Sequence, residues 1–152
     1  MTMAKNICEG LKNAYPEKSK LFDANLTVLL SELDALETYG KEALSNLTTR
    51  KLITFHDGFS YFADAFDLTI LKAIEEESGS EASAAELKEL ITLVNHHALP
   101  AVFTERNGSV SAAGVLAAET GAKIHLLDMA MSDGDYFAAM YHNIDTIKEA
   151  LG

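Results

Sequence analysis

The chain has 152 residues, which suits a single domain or one lobe of a larger protein with a buried core of its own. Its formal net charge is −11, and the excess of acid lies after residue 50, which argues against nucleic acid or an anionic membrane as a partner. Cys8 is the single cysteine, so an internal disulfide and a cysteine-based zinc motif are both excluded. The first residues lack the apolar run of a signal peptide, and no apolar run approaches membrane-spanning length.

The first fifty residues predict helices. A short helix is expected over residues 4–14, and Pro16 suits the first turn of a second helix because its missing N–H costs nothing there. From Phe22 to Leu47 apolar residues recur at steps of three and four, which is the spacing of one helix face. About thirty residues at roughly 1.5 Å each make a rod of about 45 Å. Such a length favours a spine helix between two bodies.

After Arg50 the pattern changes to strands alternating with helices. Ser83 and Glu86 have the spacing of a capping box, and Gly121 suits the end of a helix. An acidic loop of small residues is expected over 75–83. Strands are predicted at 52–55, 69–74, 100–104 and 123–127, and helices at 59–66, 84–97, 109 or 111 to 120, and 136–151. This order predicts a three-layer α/β lobe, with a four-stranded parallel sheet flanked by helices, and a division of the chain into 1–48 and 49–152.

Three polar residues follow the ends of predicted strands: His56, Glu105 and Asp128. Carboxyl ends of parallel strands meet at one edge, where open α/β sheets bind their ligands. An imidazole with carboxylates is a typical set of metal ligands. Each residue taken alone is more typical of an ordinary strand-to-helix turn, since such loops are polar, and only the three together indicate a site.

The remaining histidines carry weaker signals. His96 and His97 close a helix, where a cation complements the helix dipole, and are expected to form a solvated end. His125 falls within the fourth strand and is expected to be structural or at the surface. His142 lies on the closing helix and is expected to be away from the ligand edge.

Several segments resemble the carboxy-terminal part of the metal-binding receptors of zinc and manganese ABC transporters, the cluster A-I (cluster 9), ZnuA/TroA-like solute-binding proteins. The segments at Tyr15-Pro-Glu and Leu33-Asp34-Ala-Leu36 resemble the spine helix that joins the two lobes of these receptors. Thr54-Phe-His-Asp-Gly-Phe-Ser-Tyr-Phe62 resembles the strand-end segment that bears the third metal ligand. Leu127-Asp128 with the later Tyr141-His-Asn-Ile-Asp145 resembles the closing segment with the fourth ligand.

The resemblance implies a metal receptor of which this chain is the spine and one lobe. It implies that His56 and Asp128 are metal ligands, with Glu105 close enough to orient a ligand. Two further histidines would come from an amino-terminal lobe that this chain lacks. The implied cargo is Zn²⁺, or alternatively Mn²⁺, captured outside the cytoplasm and delivered to an ABC permease without catalysis. Membrane contact would arise only through an anchor of the parent protein or through the permease.

The residues alone are also compatible with two other classes of protein. A doubly wound enzyme or nucleotide-binding domain would require a glycine-rich phosphate loop after the first strand, where His56-Asp-Gly-Phe offers one glycine and an acid. A structural or assembly module could use the leucine stripe of the long helix. An uncovered stripe would also favour self-association of the chain.

Overall fold

A computed structural model describes residues 1–74, 83–105, 111–130 and 134–152. Residues 1–39 and 40–152 form two compact units. The acidic loop expected at 75–83 lies outside the described residues except for Ser83. Within the described part of the chain, no helix combines the length and the hydropathy needed to cross a bilayer.

The amino-terminal unit consists of helices. Helix α1 spans Thr2–Ala14, a 3₁₀ turn covers Pro16–Lys18, and α2 runs from Ser19 to Ala43, across the division between the units. Helix α2 therefore begins three residues after Pro16, where the second helix was expected to start, and ends about four residues before Leu47. Its 25 residues correspond to a length of about 38 Å.

One lysine links the two helices of the amino-terminal unit. The Lys12 Nζ donates to Asp23 Oδ1 at 2.9 Å and to Glu9 Oε1 at 3.1 Å. These two carboxylates, Asp23 more than Glu9, raise the pKa of the Lys12 ammonium above its usual range. All three side chains are at the surface, so the ion pairs contribute little to stability.

The second unit is the expected α/β lobe. Its four strands are all parallel and lie in the order β2-β1-β3-β4, which confirms the predicted fold class. The strands are β1 (Lys51–Thr54), β2 (Thr69–Ala73), β3 (Ala101–Glu105) and β4 (Lys123–Leu127). The helices are α3 (Ser60–Ala65), α4 (Ala84–His97), α5 (Ser111–Thr120) and α6 (Tyr136–Leu151).

The main core of the lobe forms where one sheet face meets α4 and α5. Alternate residues of β1 and β3 point to this face, because strand side chains alternate between the two sides of a sheet. The core contains buried residues of both strands and both helices: Ile53, Phe55, Val102, Leu90, Val94, Ala113 and Leu116. Helix α6 buries a separate apolar stripe, made of Ile144, Ile147 and Leu151.

Local signals account for the ends of several helices. The Ser83 hydroxyl accepts from the Glu86 N–H at 3.3 Å, and Glu86 Oε2 accepts from the Ser83 N–H at 2.8 Å, which is the predicted capping box. Gly121 follows α5 with a φ of +77°, a conformation that favours glycine. The Asp135 carboxylate caps α6 by accepting from the Phe137 N–H at 2.9 Å.

Candidate metal centre

The sheet topology brings the predicted site residues to one edge. Strands β1 and β4 both lie next to β3, and all three are parallel, so their carboxyl ends point the same way. His56 follows the end of β1, Glu105 is the last residue of β3, and Asp128 follows the end of β4. Glu105 is in register with Leu127, which places it beside the residue that precedes Asp128.

The loops that carry His56 and Asp128 are in contact. The Met129 side chain packs on Gly58, so closely that a Cβ on Gly58 would overlap the Met129 Cε and lie 2.7 Å from its Sδ. His56 itself is half-buried, two residues before this contact. A glycine at position 58 thus allows the two strand-end loops to approach each other.

Asp128 is held by hydrogen bonds on both its backbone and its side chain. Its N–H donates to Asn143 Oδ1 at 2.7 Å, and its carbonyl accepts from Asn143 Nδ2 at 2.8 Å. Its carboxylate Oδ1 accepts from the Ala130 N–H at 2.8 Å. Among the hydrogen bonds of the described residues, none involves the second carboxylate oxygen.

The structure corrects the expectation for His142. A cavity of about 250 Å³ is open to solvent beside Asp128, and His142 and Asp135 line it together with Asp128. His142 was expected to lie away from the ligand edge, but the first turns of α6 pack next to the end of β4 and bring it there. The apolar spacing correctly predicted that His142 lies on the closing helix. It did not indicate that this helix would pack beside the end of β4.

The other histidines lie elsewhere. His125 is within β4 and half-buried, with its ring 6.0 Å from the Phe103 ring. His96 is exposed, whereas His97 is half-buried with its Nδ1 3.1 Å from Lys51 Nζ at the start of β1. The solvated end predicted for this pair therefore describes His96 only. No cluster of three or more histidine, cysteine or acidic side chains able to hold a metal occurs within the described ranges.

Sequence reasoning missed Asn143, which is fully buried and bonded to the Asp128 backbone. The available signal was a polar residue within the apolar stripe of α6, between Met140 and Ile144. A buried amide needs hydrogen-bond partners. Here the partners are the N–H and the carbonyl of Asp128, the residue that follows β4.

A family model for the zinc-uptake complex component A, periplasmic, matches residues 1–150. The chain belongs to this family. It is 30% identical to zinc-binding protein AdcA of Streptococcus pyogenes serotype M6 over 156 residues, covering 97% of this chain and 30% of that protein. It is 29% identical to zinc-binding protein TroA of Treponema pallidum over 161 residues, covering 97% and 52% respectively.

The fold agrees with that of a solved family structure. A crystal structure of a zinc-bound ZnuA deletion mutant superposes with a TM-score of 0.82 at 32% identity. The match covers 97% of this chain and 55% of the ZnuA chain. This chain therefore spans about half or less of these longer relatives, as the resemblance to a spine and one lobe implied.

Proposed function

We propose that this chain is the part of an extracytoplasmic metal receptor that supplies two ligands, His56 and Asp128, to a Zn²⁺ cargo site. The observation that carries the proposal is the single sheet edge shared by these residues, with their loops joined by the contact between Met129 and Gly58. The names of the zinc-binding relatives support zinc as the cargo. No covalent bond is made or broken in this function, so it is binding and not catalysis.

The donor chemistry suits this cargo. A neutral imidazole and a carboxylate oxygen are both common Zn²⁺ ligands, and Asp128 has one oxygen without a described hydrogen bond. Mn²⁺ is the alternative cargo, since it favours oxygen ligands and would use both carboxylate oxygens.

In the proposed receptor, a second lobe supplies the remaining ligands and an ABC permease accepts the metal. Glu105 is the last residue of β3, and in this proposal its carboxylate orients a ligand or an associated water molecule. Holding a ligand through a neighbouring carboxylate is common in metal sites, and losing such a neighbour lowers affinity less than losing the ligand.

Isothermal titration of the 152-residue chain with Zn²⁺ tests the ligand assignment. With two of four ligands, binding is expected on the order of micromolar or weaker, since water must fill the other positions. His56→Ala and Asp128→Ala should each abolish it, and Glu105→Gln should weaken it.

The control is the double variant His96→Ala, His97→Ala, which removes the histidine pair at the opposite edge of the sheet and should leave binding unchanged. Stoichiometric tight binding that survives His56→Ala would contradict the assignment and place the site on other residues. Parallel titration with Mn²⁺ tests the alternative cargo, which would be supported if Mn²⁺ bound more tightly than Zn²⁺.

A further inference from the structure

The buried amide of Asn143 clamps the backbone of Asp128. The amide oxygen accepts from the Asp128 N–H at 2.7 Å, and the amide nitrogen donates to the Asp128 carbonyl at 2.8 Å. Asn143 has no exposed surface, so neither bond exchanges readily with water. An asparagine amide carries a donor and an acceptor in one plane and so complements the N–H and C=O of a single residue.

Asp128 needs this clamp because the sheet does not hold it. Strand β4 is at the edge of the described sheet and ends at Leu127, so Asp128 is the first residue beyond the ladder. The chain then turns sharply at Ala130, which has a φ of +53°, a conformation uncommon for a residue with a side chain. This turn brings the Ala130 N–H onto Asp128 Oδ1 at 2.8 Å.

Helix α6 gives the clamp a rigid base. Ile144 and Ile147 next to Asn143 are fully buried, so the helix is docked on the lobe through the same stripe that contains the amide. With both backbone groups of Asp128 bonded to α6 and Oδ1 bonded to Ala130, the carboxylate is restricted to one orientation. Its other oxygen then points in a defined direction at the sheet edge.

We propose that Asn143 is a positioning residue that presents the Asp128 carboxylate to the metal cargo. This inference rests on the proposed function, in which Asp128 is a ligand. A ligand whose orientation is set before binding loses less conformational freedom when the metal arrives, and loss of such a support typically weakens metal binding about 10- to 100-fold.

The test compares Zn²⁺ affinity of the 152-residue chain with that of Asn143→Ala and Asn143→Ser. Asn143→Ala removes both bonds and should weaken binding about tenfold or more. Asn143→Ser keeps a hydroxyl that can replace one bond at most, and its affinity should fall between the other two. Ile147→Ala is the matched control, because it truncates a buried side chain of the same stripe of α6 but leaves both Asn143 hydrogen bonds in place, and it should weaken binding much less than Asn143→Ala does.

Nuclear magnetic resonance on the wild-type chain gives a readout that does not depend on a variant folding. The side-chain amide signals of Asn143 should shift as Zn²⁺ is added and saturate together with the His56 signals. The same amide shifts should be lost in Asp128→Asn. An Asn143 that is not coupled to a Zn²⁺-bound Asp128 would show no such metal-dependent shift, and the affinities of the Asn143 variants then decide whether the coupling positions the ligand.

The outcomes separate the two claims. If His56 responds to Zn²⁺ while the Asn143 amide does not, or if Asn143→Ala and Ile147→Ala weaken binding equally, the positioning role is wrong and the ligand assignment stands. If Zn²⁺ shifts no signal of His56 or Asp128, both the proposed function and the positioning role are wrong.

Discussion

At the scale of single residues, two glycines in helices have opposite surroundings. Gly40 lies in the last turn of α2, against the ring of buried Phe66, and a Cβ there would overlap three ring atoms. Gly114 lies within α5, and among the described residues no atom beyond its chain neighbours and the α5 backbone is within 4 Å of the position its Cβ would occupy. Helix propensity alone favours alanine at both positions, so packing decides the difference.

Gly40→Ala is therefore expected to destabilise the chain by about 1–3 kcal/mol, the usual cost of adding an atom to a filled core. The measurement is urea unfolding followed by circular dichroism, with the shift in midpoint at constant slope. The Phe66 ring, whose atoms lie where the new Cβ would be, would have to move.

Gly114→Ala is the matched control and should stabilise the chain by about 0.5–1 kcal/mol, because alanine loses less backbone entropy in a helix. A stabilising effect of Gly40→Ala, equal to that of Gly114→Ala, would show that Phe66 moves aside without cost.

At the scale of elements, the end of α4 meets the start of β1 through His97 and Lys51. The His97 Nδ1 is 3.1 Å from Lys51 Nζ, and the His96 ring lies 4.6 Å from the His97 ring. Burial first, and then the Lys51 ammonium and His96, lower the pKa of the His97 imidazole from its ordinary value of 6.5. The folded state therefore favours the neutral imidazole.

This shift predicts a loss of stability in acid. Because the folded pKa lies below the unfolded one, the unfolded state binds more protons between the two values. Protonation of His97 therefore does not reduce the free energy of unfolding at pH values above about 6.5. The free energy of unfolding falls as the pH drops from there through the pKa of His97 in the folded state. Replacing His97 by Gln should reduce the drop in Tm between pH 7 and pH 5, whereas His96→Gln, at the exposed neighbour, should change it less.

The charge of Lys51 provides an independent check of the same contact. Lys51→Gln should raise the pKa of His97 toward its ordinary value, as followed by the Cε1–H resonance in a pH titration. An unchanged His97 pKa in Lys51→Gln would assign the shift to burial and to His96.

At the scale of the whole molecule, apolar side chains of the amino-terminal unit remain exposed. Leu36 is buried and Leu26 and Leu33 are half-buried, so the predicted stripe is partly covered. Other apolar residues of α1 and α2 are more than a third exposed: Ile7, Leu11, Leu21, Val28 and Leu29. Apolar surface of this kind is commonly covered by another surface in solution.

The isolated chain is therefore expected to self-associate. Sedimentation velocity should show a larger mean coefficient at higher concentration, and Leu21→Lys with Val28→Lys should reduce the effect. Tyr61→Ser is the control, since Tyr61 is 91% exposed on α3 in the other unit and should not contribute. A monomer at every concentration would contradict the prediction.

Much of the fold follows from local sequence. Helix α4 begins and ends where the capping box and the apolar spacing predicted, because both signals act within a few residues. Strands β1 to β4 lie within one residue of their expected bounds. The shared edge of His56, Glu105 and Asp128 also followed from the sequence, since alternating strands and helices with right-handed crossovers make all the strands parallel.

Other features depend on how distant segments pack. Asn143 and His142 come to Asp128 because α6 docks on the end of β4, and no local spacing encodes the rotation of a helix on a sheet. The contact between Gly58 and Met129 joins loops about seventy residues apart in the chain, and the covering of Gly40 by Phe66 depends on the same kind of long-range packing. Sequence by itself determined the strands, the caps and the edge that holds the candidate ligands, because hydrogen bonding and apolar periodicity act over a few residues. Tertiary structure alone decided what supports those ligands, because shape complementarity exists only once the elements have packed together.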